Sequence, residues 1–507
     1  MLFNSATFIF VYLPLTLAGF FLIARRSAQA AAAWLAFASL AFYAYWDWRY
    51  VFLLLASIAF NYSMGMAIAR AQGAQRTWRF AFAIAANLLV LGYFKYSAMA
   101  VETVNAALDA SFVVPAIVLP LGISFFTFTQ IAYLADVRAA KAREPRFVHY
   151  ALFVTYFPHL IAGPVLHHKE MMPQFASPRT YRPQRNALLL GTAIFVIGLA
   201  KKVLIADNLA PYAAPVFADA THPTLFFAWA AVLAYAFQIY FDFSGYSDMA
   251  IGLSRMFGIK LPLNFDSPYK SRNIVEFWRR WHMTLSRFLR DYLYVPLGGN
   301  RHGPARRYAN LMATMLLGGL WHGAGWSFLV WGGLHGLYLC INHLWQRYVP
   351  PSDSPSRSAR FASVALTFFV VTIAWVFFRA PTFTVARDVL GGMFGVHGVA
   401  LPEALAGAVP GLRALANTLG VQTVLGGGSA FVGNYAWVIG AAAIAFCAPN
   451  TQEIARRFAP ALAYGAVGTR IALRFSLAWP WAVALGLLAA TSLLSLSNPS
   501  EFLYFQF

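Results

Sequence analysis

The stretch Met315–Gly333, MLLGGLWHGAGWSFLVWGG, decides how the chain is read. It contains no Asp, Glu, Lys or Arg, and glycines stand at 318, 319, 323, 325, 332 and 333. No charged residue appears from Leu311 to Gln346, which is membrane sequence by length and composition. So many glycines make it a poor regular helix, since each costs helix stability and frees the backbone. Within it, His322 follows Trp321. Imidazole is the one side chain whose ordinary titration range spans neutral pH. A dry, narrow, glycine-lined site around such a ring fits a general base for an alcohol or thiol. Holding a neighbouring helix through a hydrogen bond is the plainer role, and His335 and His343 in the same region fit that role equally well.

Composition supports the membrane reading. Of 507 residues, 60% are hydrophobic and 11% charged, where soluble domains carry about a quarter charged residues. The net charge of +20 would suggest nucleic acid in a soluble chain, but no basic soluble domain exists to host one. Basic cytoplasmic loops of a multi-pass protein account for it, and no nucleic-acid partner is expected. Cys340 and Cys447 both lie in apolar runs and form no zinc motif, so no metal is expected.

The chain is predicted to be an all-α polytopic membrane protein with roughly 11–13 transmembrane helices, forming one membrane domain over 1–507. Candidate spans fall near 5–24, 30–46, 50–69, 80–97, 112–135, 187–206, 225–243, 308–320, 326–347, 361–378, 430–447 and 477–496. The first is expected to be a retained span, because Arg25 and Arg26 follow its apolar core instead of preceding it. Basic residues recur after the first, third and fifth spans, whereas the intervening loops are poor in them. That alternation predicts an outside N-terminus and cytoplasmic loops at 70–79 and 136–147. Residues 350–360 read as a polar connector and 391–430 as a surface or partly re-entrant loop. The terminal EFLYFQF is taken as native sequence.

Three further segments differ from ordinary spans. YFPHLIAGPVLHHKEMMPQF (156–175) has too many prolines for one helix, and its adjacent His167 and His168 lack the i, i+4 spacing of helical metal ligands. It reads as a loop at the membrane face. YFDFSGYSDMAIGL (240–253) places Asp242 and Asp248 in an aromatic, apolar setting. Each is expected to hold an arginine or a helix terminus, with a direct part in transfer as the alternative. NIVEFWRRWHMTLSRFLRDYL (273–293) has Ile274, Phe277, Trp278, Trp281, Leu285, Phe288, Leu289 and Tyr292 at helical spacing and Arg279, Arg280, Arg287 and Arg290 opposite. This predicts a basic amphipathic helix lying in the interface. The arginines fit lipid headgroups, or a phosphorylated acyl donor that guanidinium groups would pair with.

YFDFSGYSDMAIGL, EFWRRWHMTLSRFLRDYLYVPLGGN and MLLGGLWHGAGW together resemble the membrane-bound O-acyltransferase family, most closely its bacterial branch that acetylates polysaccharides such as alginate. FPHLIAGPVL and FLYFQF resemble the same branch, whereas 385–475 match poorly. The resemblance implies re-entrant and interfacial helices around a central funnel in the bacterial inner membrane. It implies transfer of an acetyl or other acyl group from a cytoplasmic thioester, acetyl coenzyme A or an acylated carrier, with no bound cofactor. It further implies an extracytoplasmic acetyltransferase partner and a polysaccharide acceptor. The family's essential histidine falls on His322 and a second polar position on His282. Trp321, Asp242, Arg279, Arg280 and Trp281 are the accompanying candidates for substrate contact. A transporter or a structural subunit of an export complex is the alternative: broken helices and buried ionisable residues also suit transport, although no inverted repeat is visible.

Overall fold

The computed structural model describes residues 1–219, 221–349, 356–462, 473–496 and 502–503. The first half runs through α1 (Leu13–Ala24), α2 (Ala28–Ala44), α3 (Arg49–Arg70), α4 (Gly73–Leu108), α5 (Ile123–Arg138), α6 (Phe147–Thr155), α7 (Phe157–Leu160), α8 (His168–Ala176), α9 (Arg185–Ala200) and α10 (Asp207–Ala218). The second half continues with α11 (Leu225–Met256), α12 (Ile274–Trp278), α13 (Met283–Leu289), α14 (Gly303–His322), α15 (Trp326–Tyr348), α16 (Arg357–Arg379) and α17 (Phe383–Met393). The protein is an all-α, multi-pass membrane protein. Among the described residues six helices are long and apolar enough to cross a membrane: α3, α4, the 185–218 run of α9 and α10, α11, α16 and Gly428–Cys447. Three shorter apolar helices, Phe8–Ala24, Ala28–Ala44 and Trp479–Leu494, accompany them.

The spans differ from the sequence reading where hydropathy alone cannot place an end. The fourth extends to 36 residues, about 54 Å at 1.5 Å per residue, so it overshoots an apolar layer of about 30 Å. The fifth is shortened at its start: residues 110–120 form no regular secondary structure, and α5 begins only after Gly122 turns left-handed at φ +71°. The 225–243 span continues to Met256 and forms the centre of the bundle, buried along most of its length. Its backbone lies against α9, where a Cβ at Gly198 would collide with the Gly245 carbonyl.

Hydrogen bonds define two faces. Arg76 donates to the Val137 carbonyl at 2.9 Å and Tyr62 to that of Pro145 at 2.6 Å, bringing the start of α4 and the second half of α3 against the 137–146 segment on a basic face. Tyr50 donates to the Val118 carbonyl at 3.0 Å on the opposite, less basic face. The 156–175 segment is not a plain loop: Leu152 to His168 are all buried, and α8 follows with Lys169 and Pro173 exposed. Its broken backbone is tolerated because protein covers it, as irregular chain in a membrane protein requires. The 391–430 region is not a plain loop. Two short parallel strands, Ala400–Pro402 and Gln422–Val424, pair across two short helices. Of the connector at 350–360, residues 350–355 lie outside the described residues, and so does most of EFLYFQF.

The opening stretch is a tight hairpin of two regular helices, not an irregular span. α14 runs unbroken to His322, the chain turns through Gly323, Ala324 and Gly325, and α15 starts at Trp326. The glycines serve packing. A Cβ at Gly319 would overlap the Phe328 carbonyl, and one at Gly332 would overlap that of Met315. Gly332→Leu should therefore cost at least the 1–3 kcal/mol typical of overpacking, because rigid backbone opposes it. A melting temperature in detergent equal to that of the parent protein would show that the two helices can separate freely.

Candidate functional site

The amphipathic segment breaks where the site forms. Its apolar stripe is buried from Ile274 to Leu289, as the spacing predicts, whereas Tyr292 at its end is half-buried. The helix is not continuous, however: α12 ends at Trp278, and His282 takes the left-handed conformation at φ +43°, ψ +52° before α13 begins. Left-handed backbone is costly for a non-glycine residue and needs surrounding structure to hold it. Asn264 supplies much of that support. Its Oδ1 accepts from the Thr284 backbone N–H at 3.3 Å and the Thr284 hydroxyl at 2.9 Å, while its carbonyl accepts the Met283 N–H at 3.0 Å. The same Oδ1 lies 3.0 Å from His282 Nδ1. An oxygen that already accepts two hydrogens requires Nδ1 to carry the proton, so the neutral ring presents Nε2 as its acceptor. Asn264 is a site residue that the sequence reading missed. It lies in a loop with no motif, eighteen positions before the ring it orients.

His322 stands at the last turn of α14. Its ring contacts Trp321, Trp331 and Phe378 at centroid distances of 5.0, 4.9 and 5.3 Å. The His282 ring is 6.2 Å away and itself packs edge-on against Phe243 at 4.8 Å. The two imidazoles singled out in the sequence, forty positions apart, thus face one another inside the protein. A helix ending there leaves carbonyls without intrahelical partners. α4 provides their donors: Tyr96 to Leu320 at 2.7 Å, and the Lys95 ammonium to Trp321 at 2.5 Å and His322 at 3.2 Å. Lys95 also reaches Ser124 of α5 at 3.3 Å. Among the described residues no carboxylate lies within ion-pair distance of this buried lysine. Lys95 was also missed, because a lone lysine in an apolar span carries no sequence signal for the helix end it meets.

Two cavities border one face of α14 at different heights. One, of about 440 Å³, is lined by Lys95, Ser124, Phe125, Trp321 and His322 and reaches Met1, Tyr45 and Trp46 on the less basic face. The other, of about 520 Å³, is lined by Arg279, Arg287, Arg290, Met283, Thr314 and Met315 on the basic side. Met315 and His322 are seven residues apart, about 10 Å along the helix.

The remaining candidates separate. Trp321 lines the first cavity and Arg279 the second. Arg280 instead pairs with Glu276 at 2.8 Å and reaches the Asp266 carbonyl at 3.3 Å. Trp281 is core, 1% exposed and packed on Phe265, Phe277 and Trp375. Asp242 holds Lys202 at 2.7 Å, not an arginine, and accepts the Leu503 backbone N–H at 3.0 Å, which ties the C-terminal segment to α11. Asp248 likewise holds a lysine, Lys201, at 2.6 Å, together with Thr451 and Gln452. His167 bonds Tyr292 at 3.0 Å, and His168 packs on Tyr133 and Phe153. His335 is enclosed by Phe277, Trp278 and Trp331, and His343 meets Arg307 at 2.7 Å.

The sequence profile described as MBOAT, membrane-bound O-acyltransferase family, matches residues 121–380, which contain both imidazoles and α12–α16. The chain is 40% identical over 483 residues to the "Peptidoglycan O-acetyltransferase" of Helicobacter pylori, covering 90% of each chain. It is 44% identical over 403 residues to the "Probable alginate O-acetylase AlgI" of Azotobacter vinelandii, covering 78% of each. A more distant similarity, 31% over 242 residues, covers 45% of this chain and 57% of the "Teichoic acid D-alanyltransferase" of Streptococcus thermophilus. The chain belongs to the membrane-bound O-acyltransferase family and is an acyltransferase.

Lys95→Met removes the donors for two carbonyls at the end of α14 while keeping side-chain volume. Acyl-transfer kcat should fall at least tenfold, because the helix end that carries His322 loses these donors. Steady-state kinetics on detergent-purified protein checks this. An unaltered kcat would mean that the helix end is held without the ammonium.

Proposed function

We propose that the protein moves an acetyl group from a cytoplasmic thioester to an acceptor on the far side of the bacterial inner membrane, for O-acetylation of a polysaccharide such as alginate or peptidoglycan. One observation carries this reading. One face of α14 borders an arginine-lined cavity toward the basic face at Met315 and, farther along, a cavity opening on the other face at His322. With the basic face cytoplasmic by the positive-inside rule, the N-terminus lies outside. The two mouths then lie in the compartments of donor and acceptor.

The residues divide the work. Arg279, Arg287 and Arg290 offer guanidinium groups for the phosphates of acetyl coenzyme A or of an acylated carrier. Arg287 is shared with Glu170, at 2.6 and 3.0 Å, which fixes its plane. Arg280 and Trp281 shape the segment without lining this cavity. Asp242 anchors the C-terminal segment. His322 takes the proton from the acceptor hydroxyl as its oxygen attacks the thioester carbonyl, and the thiol departs on the cytoplasmic side. General-base assistance of this kind contributes about 10²–10⁴ in rate. His282, oriented by Asn264, positions the reacting groups or stabilises the developing oxyanion. The acceptor reached from the outer cavity is a polysaccharide hydroxyl or a group on an extracytoplasmic acetyltransferase that completes the transfer. The names of the peptidoglycan- and alginate-acetylating relatives support the acetyl group and the polymer class.

Radiolabelled acetyl thioester supplied to purified protein tests this. His322→Ala should lose 10²-fold or more of turnover with folding retained, and Asn264→Ala about tenfold through disorder of His282. Undiminished turnover in His322→Ala would remove that ring from the chemistry. Deleting the gene and measuring ester-linked acetate on each envelope polymer identifies the acceptor; acetate unchanged on every polymer would refute the polysaccharide assignment.

A further inference from the structure

A second cluster of histidines lies away from the α14 hairpin, on the less basic face. The turn between α10 and α11 carries His222, while Asp388 lies on α17 and His397 follows it. Each brings a ligand atom to within 4.8 Å of the other two. Asp388 is buried, whereas His222 opens to solvent. A single carboxylate oxygen, Asp388 Oδ1, faces both Nδ1 of His222 and, at 3.6 Å, Nε2 of His397. The other oxygen accepts the His222 backbone N–H at 2.8 Å. His222 is held at φ +47°, a conformation disfavoured for a non-glycine residue. The two rings stand 80° apart in plane with centroids at 5.1 Å.

Counting protons gives the cluster its meaning. His397 Nδ1 lies 3.3 Å from the Pro223 carbonyl. A carbonyl only accepts, so Nδ1 carries the hydrogen and the neutral ring turns a lone pair on Nε2 toward a carboxylate oxygen. Two acceptors facing one another repel unless a proton or a cation stands between them. A ring N–H on a backbone carbonyl, with the other nitrogen aimed at a shared point, is the outer-shell arrangement of metal-binding histidines. Two imidazoles and one carboxylate form a donor set that zinc accepts, with a fourth position left for water. The solvent-open side of His222 provides that position.

We propose that His222, Asp388 and His397 form a zinc-type divalent metal site that clamps the α10–α11 turn to α17. The expectation of a metal-free chain was drawn from its cysteines, and this site uses none. The test uses full-length protein purified without a histidine tag, stripped with chelator and desalted. Wild type should retain one zinc per chain after reloading and desalting, and its melting temperature should rise with zinc. Cobalt(II) should give the visible ligand-field absorption of a four- or five-coordinate site, bleached by zinc. His222→Ala/His397→Ala should retain less than a tenth of the metal. Retention by wild type no greater than by this variant, or a zinc-independent melting temperature, would overturn the proposal and leave a protonated His–Asp–His cluster. Should the variant not fold, X-ray absorption on zinc-loaded wild type decides: imidazole scattering supports the site, and a shell without it refutes it.

Discussion

A helix that stops inside a membrane protein must find donors for its last carbonyls, and that requirement organises this site. α14 ends at His322, and its terminal carbonyls accept from Tyr96 and Lys95 of α4. Left without a donor, a buried polar group costs several kcal/mol. Burying an ammonium is itself costly, and three oxygens around Lys95 offset that cost. The contact also explains why α4 and α5, remote in sequence from the histidines, belong to the wall of the His322 cavity.

The second constraint is the shape of the chain at His282. Its left-handed residue turns the ring inward from a segment whose arginines face outward, so one short stretch serves two environments. The side toward the bundle buries Trp281, Leu285 and Leu289. Arg279 and Arg290 remain exposed beside a cavity. Asn264 converts that backbone break into a defined tautomer. The chemistry proposed for the pair needs both features: a ring at the end of a pinned helix, and a partner ring whose acceptor nitrogen is fixed.

Sequence pattern disclosed burial better than continuity. The 3.6-residue stripe over 274–289 identified the buried side chains, but periodicity is blind to a single left-handed residue, so α12 and α13 read as one helix. Likewise the glycines of 315–333 suggested irregular backbone because propensity scores each residue alone. Their use emerges only when Gly319 and Gly332 meet carbonyls of the opposing helix. His322 and His282 were legible, the first as an isolated imidazole in an uncharged run and the second through family resemblance. Lys95 and Asn264 were not, since each acts through a contact far away in sequence. The aspartates were expected to hold an arginine or a helix terminus, and lysines hold them instead.

The central claim is that donor and acceptor approach His322 from opposite ends of one face of α14. Cryo-electron microscopy of the protein with a non-hydrolysable acetyl-thioether analogue of coenzyme A tests it most directly. The account predicts phosphate density against Arg279, Arg287 and Arg290, with the acetyl carbon reaching past Met315 to the His282–His322 pair. Density in the cavity that opens beside Met1 and Trp46, or an acetyl group held away from both rings, would contradict it.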